Sequence, residues 1–184
     1  MKATGIVRRI DELGRVVIPK EIRRTLRIRE GDPLEIFVDR EGGVILKKYS
    51  PVGELSDLAR EYAESIHQAV GHTALICDRD QVVAVSGSGK KELINKPVHE
   101  RVEKLMQGRT RVNAGEAMGE ELIPITTDAA GGGLTAELII PIVAAGDAVG
   151  AVILLSKEQG ASFTEADVKV CETAAGVIGR QMES

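Results

Sequence analysis

The stretch from Gly14 to Ile28, GRVVIPKEIRRTLRI, decides how the rest of the chain is read. A short apolar run, Val16 to Ile18, leads into Pro19 and then into a basic segment holding Lys20, Arg23, Arg24 and Arg27. Proline suits the first position of a helix, because the amide it lacks has no partner there and its fixed φ matches helical entry. The spacing predicts a short helix over Lys20 to Leu26. Ile22 and Leu26 form an i, i+4 apolar pair on it, and the cations fall on the remaining surface. One face should be buried and the other strongly positive. A positive face built mainly from arginine, with its planar fork of donors, suits phosphates and base edges.

Working outward, residues 1 to 29 contain nine Lys or Arg (Lys2, Arg8, Arg9, Arg15, Lys20, Arg23, Arg24, Arg27 and Arg29) against Asp11, Glu12 and Glu21, a net of +6. The whole chain of 184 residues stands at -4. A solvated helix face explains many charge runs, but not such an asymmetry between segments. It is the pattern of a polyanion-binding module carried on an acidic body. With two Phe, two Tyr and no Trp, recognition by stacking on single-stranded bases is disfavoured, so the expected polyanion is duplex DNA.

The composition, 43% apolar and 28% charged, is that of an ordinary globular protein. The longest apolar runs, LIIPIVAA and AVGAVILL, are too short to span a bilayer, and MKATGIVRRIDELG has no signal-peptide core, so a cytoplasmic, nucleoid-associated protein is expected. Cys77 and Cys171 lack metal-ligand spacing and read as buried reduced thiols.

Around the opening stretch, TGIVRRI (residues 4 to 10) and Arg15 to Ile18 are expected as two strands joined by the turn DELG, with Arg8 and Arg9 on opposite faces. LEIFV (34 to 38) and VILKK (44 to 48) are expected as two more, joined by DREGG. So small a unit buries too little surface to be comfortable alone, which predicts an obligate dimer with strands from both chains. A dimer also doubles the basic surface, as suits two half-sites on a duplex.

The run TGIVRRIDELGRVVIPKEIRRTLRIREGDPLEIFVDREGGVILKKY resembles the swapped-hairpin DNA-binding domain of the AbrB family of bacterial transition-state regulators, over all of residues 1 to 50. The resemblance implies a dimer of interleaved hairpins that binds DNA through arginines with loose sequence preference. By position, Arg8, Arg15, Arg23 and Arg24 match the family's DNA-contacting arginines. Lys2, Arg9, Lys20, Arg27 and Arg29 are assigned as secondary contacts on charge alone. That family also includes short antitoxins, so action through a protein partner is the alternative.

Tyr49 to Leu55, YSPVGEL, lies where the charge changes sign, since residues 51 to 184 carry 12 Lys or Arg against 20 acids. It divides the chain into a DNA-binding domain (1–50), a linker (51–55) and a second domain (56–184). Glu54 to Val70 has a helical stripe ending at Gly71. HTALICD and QVVAVSG read as strands, KKELINKPVHERVEKLMQG as helical segments about Pro97, and Leu122 to Ile125 as a further strand. Arg109 to Gly119 gives no clear signal, and TDAAGGGL (127 to 134) reads as a flexible loop. Ala136 to Val143 and Ala148 to Ser156 form a strand pair, and TEAD at 164 to 167 caps a final helix.

The fold class is therefore α+β. The stretch IIPIVAAGDAVGAVILLSKEQGASFTEADVKVCETAAGVIGRQM is similar to the end of a GAF domain, an α/β/α fold. The pairing of an AbrB-like start with a GAF domain resembles a family of sporulation-stage transcription factors. That resemblance implies activation of some genes, repression of others, and a homotetramer in which GAF helices join N-terminal dimers.

Chemistry in the second domain is weakly signalled. SGSGKK at 86 to 91 lacks the spacing of a phosphate loop, and His67, His72 and His99 have no ligand-like neighbours, so no metal is expected. The residue set of cyclic-nucleotide-binding GAF domains is missing. Some GAF domains reduce methionine sulfoxide with cysteine thiolates, but Cys77 and Cys171 lie on apolar elements, and no catalytic residue is expected. A cofactor is not expected; an unidentified small-molecule ligand of the GAF domain is the open possibility.

Overall fold

The computed structural model describes residues 5–50, 52, 56–128 and 132–183, and they fall into two compact units, 1–49 and 50–184. Lys2 and most of the expected linker lie outside the described residues.

In the first unit, Asp11 makes the first turn almost alone. Its Oδ1 accepts from the amides of Leu13 (2.9 Å) and Arg15 (2.8 Å), its carbonyl accepts from Gly14, and Gly14 supplies the φ of 76° that the turn needs. The flanking segments, 5–10 and 15–18, are not strands, contrary to expectation. Asp11 N–H also donates to Arg15 C=O at 3.0 Å, and no ladder follows among the described residues. A strand exists only where a second row of backbone groups faces it, and the described residues form no such row here.

Helix α1 (Lys20–Thr25) begins directly after Pro19, whose carbonyl accepts from Arg23 N–H. Its end is a Schellman motif: Ile28 N–H reaches Arg23 C=O (2.7 Å), Arg27 N–H reaches Arg24 C=O (3.2 Å), and Arg27 sits at φ 51°. An arginine there in place of glycine costs roughly 1–2 kcal/mol of local strain. Strands β1 (Leu34–Val38) and β2 (Val44–Lys48) pair antiparallel, from Leu34 opposite Lys48 to Val38 opposite Val44. Asp39 shapes their turn by accepting from Glu41 and Gly43. Lys48 then ties the hairpin to the end of α1, donating to Arg27 C=O (2.9 Å) and pairing with Asp32 (3.4 Å).

The second unit is an antiparallel sheet between helices. Its five strands are β3 (Thr73–Asp78), β4 (Val82–Ser86), β5 (Val112–Gly115), β6 (Ala136–Ala144) and β7 (Asp147–Ser156), in the order β4-β3-β7-β6-β5. Helices α2 (Ser56–Val70) and α5 (Glu165–Gln181) cover one face, through Ala59, Ala63 and Ile66 against Leu138, Ile140 and Leu154, with Val168, Cys171 and Ile178. The short helices α3 (Lys90–Leu93) and α4 (Glu100–Gln107) cover the other, over Leu75, Ile139 and Ile153. Helix α5 starts in the expected capping box: Thr164 Oγ1 accepts from Asp167 N–H, and Asp167 Oδ2 accepts from Thr164 N–H at 2.7 Å. The helix lies so close to β6 that a Cβ at Gly179 would collide with the Val143 carbonyl oxygen.

One segment without a clear sequence signal gains a strand, and one expectation is corrected. Arg109 to Gly119 contains β5, paired with β6 from Val112 opposite Ile139 to Gly115 opposite Ala136. Leu122 to Ile125 is not a strand; this segment lines a cavity, and next to it Val98 and Thr126 form an isolated bridge.

Candidate nucleic-acid interface and regulatory cavity

The basic residues of the first unit differ in how they are held. Arg9, Lys20 and Arg24 are exposed and have no side-chain partner among the described residues. Arg8 is exposed and donates to the adjacent Val7 carbonyl (3.1 Å). Arg15 pairs with Asp11 (Nε to Oδ2, 2.8 Å), although 71% of its side chain stays accessible. The Arg15 amide and guanidinium hold the Asp11 carboxyl below its ordinary range. Arg23 is half-buried and donates from Nε to Ile18 C=O at 3.2 Å, which orients α1 on the segment before it. Arg27 is exposed and Arg29 half-buried, with the Arg29 amide donating to Asp32 Oδ2 at 2.8 Å. Beside these cations lies apolar surface that one chain leaves open: Val7 is 84% exposed, Val38 75%, Leu13 74%, Val17 71% and Ile10 69%. Helix α1 buries no residue, so the apolar face expected for Ile22 and Leu26 has nothing to bury against within one chain.

The second unit holds a cavity of about 550 Å³ beneath the segment 116–126. Leu93, Leu122, Ile123, Pro124, Ile125, Leu134 and Leu155 give it apolar walls, and Glu116, Glu120, Glu121 and Lys157 are its charged lining residues. The volume suits a small organic molecule. The wall segment opens with a 3-10 turn, Glu116–Met118, and beyond it is tied at separate points: Ile123 N–H to Glu137 Oε1 (2.7 Å), Arg101 to Glu121 (2.9 Å) and His99 N–H to Ile125 C=O (2.9 Å).

Glu137 is fully buried in β6, and its other oxygen, Oε2, has no hydrogen-bond partner among the described residues. Burial pushes its carboxyl up to about 7, opposed by the Ile123 amide and by the positive field of Arg101. The sequence reading missed this residue. The signal was there: in AELII a lone carboxylate falls in register with Ile139, on a strand otherwise apolar on both faces.

A stability profile follows. Below about pH 4.5 both folded and unfolded chains hold the Glu137 proton; between there and about pH 7 only the folded chain does. Stability from this group therefore falls as pH rises through that window and levels off above it, by about 3 kcal/mol in all. Glu137→Gln should lack this component, so its stability relative to the parent should rise between pH 5 and 8 in thermal melts. A difference that stays constant with pH would contradict it.

Burial also pushes the Cys77 and Cys171 thiols up to about 12, which keeps them protonated and poorly nucleophilic. Among the described residues, no group of three or more His, Cys, Asp and Glu is arranged to hold a metal ion, and no helix is long and apolar enough to cross a membrane.

Two known families meet at residue 54, near the boundary between the two units. Residues 54–183 match the family described as "Stage V sporulation protein T C-terminal, transcription factor". Over its whole length the chain is 56% identical to stage V sporulation protein T of Bacillus subtilis, covering 100% of this chain and 99% of that one. It belongs to the stage V sporulation protein T family. Residues 7–54 match the family described as "Antidote-toxin recognition MazE, bacterial antitoxin". The transition state regulatory protein AbrB of B. subtilis is 64% identical over 63 residues, 31% of this chain and 65% of that one. The second GAF domain of DevS from Mycobacterium smegmatis superposes with a TM-score of 0.56 at 14% identity, covering 73% of this chain and 94% of that one. This member of the stage V sporulation protein T family thus joins an AbrB-like start to a GAF-like fold, and its cavity lies in the GAF-like unit.

Proposed function

We propose that the chain regulates sporulation-stage transcription by binding duplex DNA, activating some genes and repressing others, through Arg8, Arg15, Arg23 and Arg24. Arg9, Lys20, Arg27, Arg29 and Lys2 add phosphate contacts. Residues 1–50 act as the DNA-binding domain, 51–55 as the linker and 56–184 as the regulatory domain, in the cytoplasm and on the nucleoid. The observation that carries this reading is the coincidence of exposed cations with an unpartnered apolar surface on one small unit. Two copies interleaving segments 5–10 and 15–18 would pair them as strands, bury that surface, and set two basic faces on one duplex.

The regulatory domain joins two such dimers into a tetramer, which raises apparent affinity because the second dimer is held near the same DNA. Its cavity takes a small ligand that acts by favouring one arrangement of the dimers. The chain acts without catalysis. Sedimentation of the full chain with and without duplex DNA tests this: a tetramer binding two duplex sites is expected, and a monomer in both conditions contradicts it. The match of residues 7–54 to an antitoxin family favours, as a second reading, capture of a protein partner by the same unit.

A further inference from the structure

Glu137 stands on the cavity side of the sheet. Side chains alternate along β6, so it shares a face with Ile139, which packs in the core beneath α3 and α4. Its partner across the ladder, Leu155, lines the cavity, and so does Ile123, whose amide it binds. Glu137 thus adjoins two apolar residues of the cavity lining while its own carboxylate is fully buried. One of its oxygens is satisfied by a wall of that cavity and the other by nothing described. Such orphans in native folds call for an explanation.

The rest of the lining has the same sign. Glu116, Glu120 and Glu121 stand against the one ammonium of Lys157, and the guanidinium that acts on Glu137, that of Arg101, is drawn to Glu121 at 2.9 Å. From β5 and β7 the residues opposite Glu137 are Ala114 and Leu155, neither charged. The cavity thus presents apolar walls, an excess of carboxylates at its lining and a half-satisfied carboxyl behind it.

Resting on the reading of this cavity as a ligand site, we propose that it takes a small apolar molecule bearing a protonated amine, and that Glu137 is the buried counter-charge that selects it. An anion would meet like charge on the lining and behind the wall. A cation would be attracted in surroundings of low polarisability, where charges are felt most strongly. Binding and ionisation then favour each other: a cation in the cavity stabilises the Glu137 carboxylate, and the carboxylate tightens binding of the cation. Glu137 acts through the wall, as a positioning residue for charge. The Ile123 amide couples its ionisation to the segment that closes the cavity, since a carboxylate holds that N–H more firmly than a protonated acid does.

The test uses the full chain and calorimetric titration with hexylamine, 1-hexanol and hexanoate, at about pH 6 and about pH 8, either side of the Glu137 titration. A primary amine keeps its proton at both pH values. Hexylamine should bind at least about tenfold tighter than hexanol at the higher pH, with the advantage shrinking at the lower, while hexanoate binds weakest. Glu137→Gln should remove the pH dependence, and Glu120→Gln should lower the preference for the amine without removing that dependence. If Glu137→Gln does not fold, the parent profile decides alone. Hexanoate binding tightest, or hexanol equal to hexylamine at both pH values, overturns the proposed ligand class and leaves the cavity as a ligand site. If none of the three saturates and the amide resonances of Ile123 and Leu155 stay unmoved, the class and the ligand site fall together.

Discussion

Val17→Asp is expected to abolish duplex DNA binding and to stop the chain pairing through its first fifty residues. Val17 is 71% exposed in one chain, between Val16 and the half-buried Ile18, and is one of the exposed apolar residues of the first unit, with Val7, Ile10 and Val38. In a dimer that covers this surface, each valine contributes roughly 1.5–3 kcal/mol by leaving water. A carboxylate in its place forfeits that and adds the cost of burying a charge, and two-fold symmetry doubles both. Affinity for duplex DNA should fall by more than about a hundredfold, since 2.8 kcal/mol is enough for that factor. In sedimentation the full chain should lose half its association number, while the core of the second unit melts as before. A variant that still pairs and still binds would show the apolar surface to be plain solvent-facing side chain.

Arg24→Ala and Arg23→Ala should both weaken DNA binding, but in different ways. Arg24 is exposed, with no side-chain partner among the described residues, so its removal should cost binding alone, about 1–3 kcal/mol, and leave the melting profile unchanged. Arg23 also holds the Ile18 carbonyl at 3.2 Å. Its loss should weaken binding by at least as much and also lower the stability of the first unit by about 1 kcal/mol, the usual worth of such a bond. Fluorescence anisotropy with labelled duplex and thermal melts on the same samples separate the two effects. Unchanged affinity in both variants would remove α1 from the interface.

The second unit was largely legible because its elements carry their own signals. The β6–β7 pair is two long apolar runs about a tight turn, and α5 announces itself through Thr164 and Asp167. What failed to show had a physical reason. Strand β5 is VNAG, too short and too small in side chain to carry a period, and it is a strand because β6 offers it a ladder. Leu122 to Ile125 has strand-like composition, but it crosses above the cavity, where no edge is offered. In the first unit the turn at Asp11 was readable from its own chemistry. The strands around it were not realised in one chain, since their hydrogen-bond partners are not local. The basic residues were visible as charge; which of them stand free and which are tied, as Arg15 is to Asp11, depends on turn geometry that only the structure gives. Glu137 escaped notice because one acid in an apolar strand is conspicuous only after the strand is known to be buried on both faces.

The central claim, that the positive surface of residues 8 to 29 binds DNA phosphates, is tested most directly by the salt dependence of the full chain's affinity for duplex DNA. Each neutralised phosphate contributes a slope of about -0.9 to log K against log salt. A slope of about -4 or steeper is expected, shallower by about one for each arginine removed per bound site. A binding constant that does not change with salt would contradict the claim and direct attention to a protein partner for the same unit.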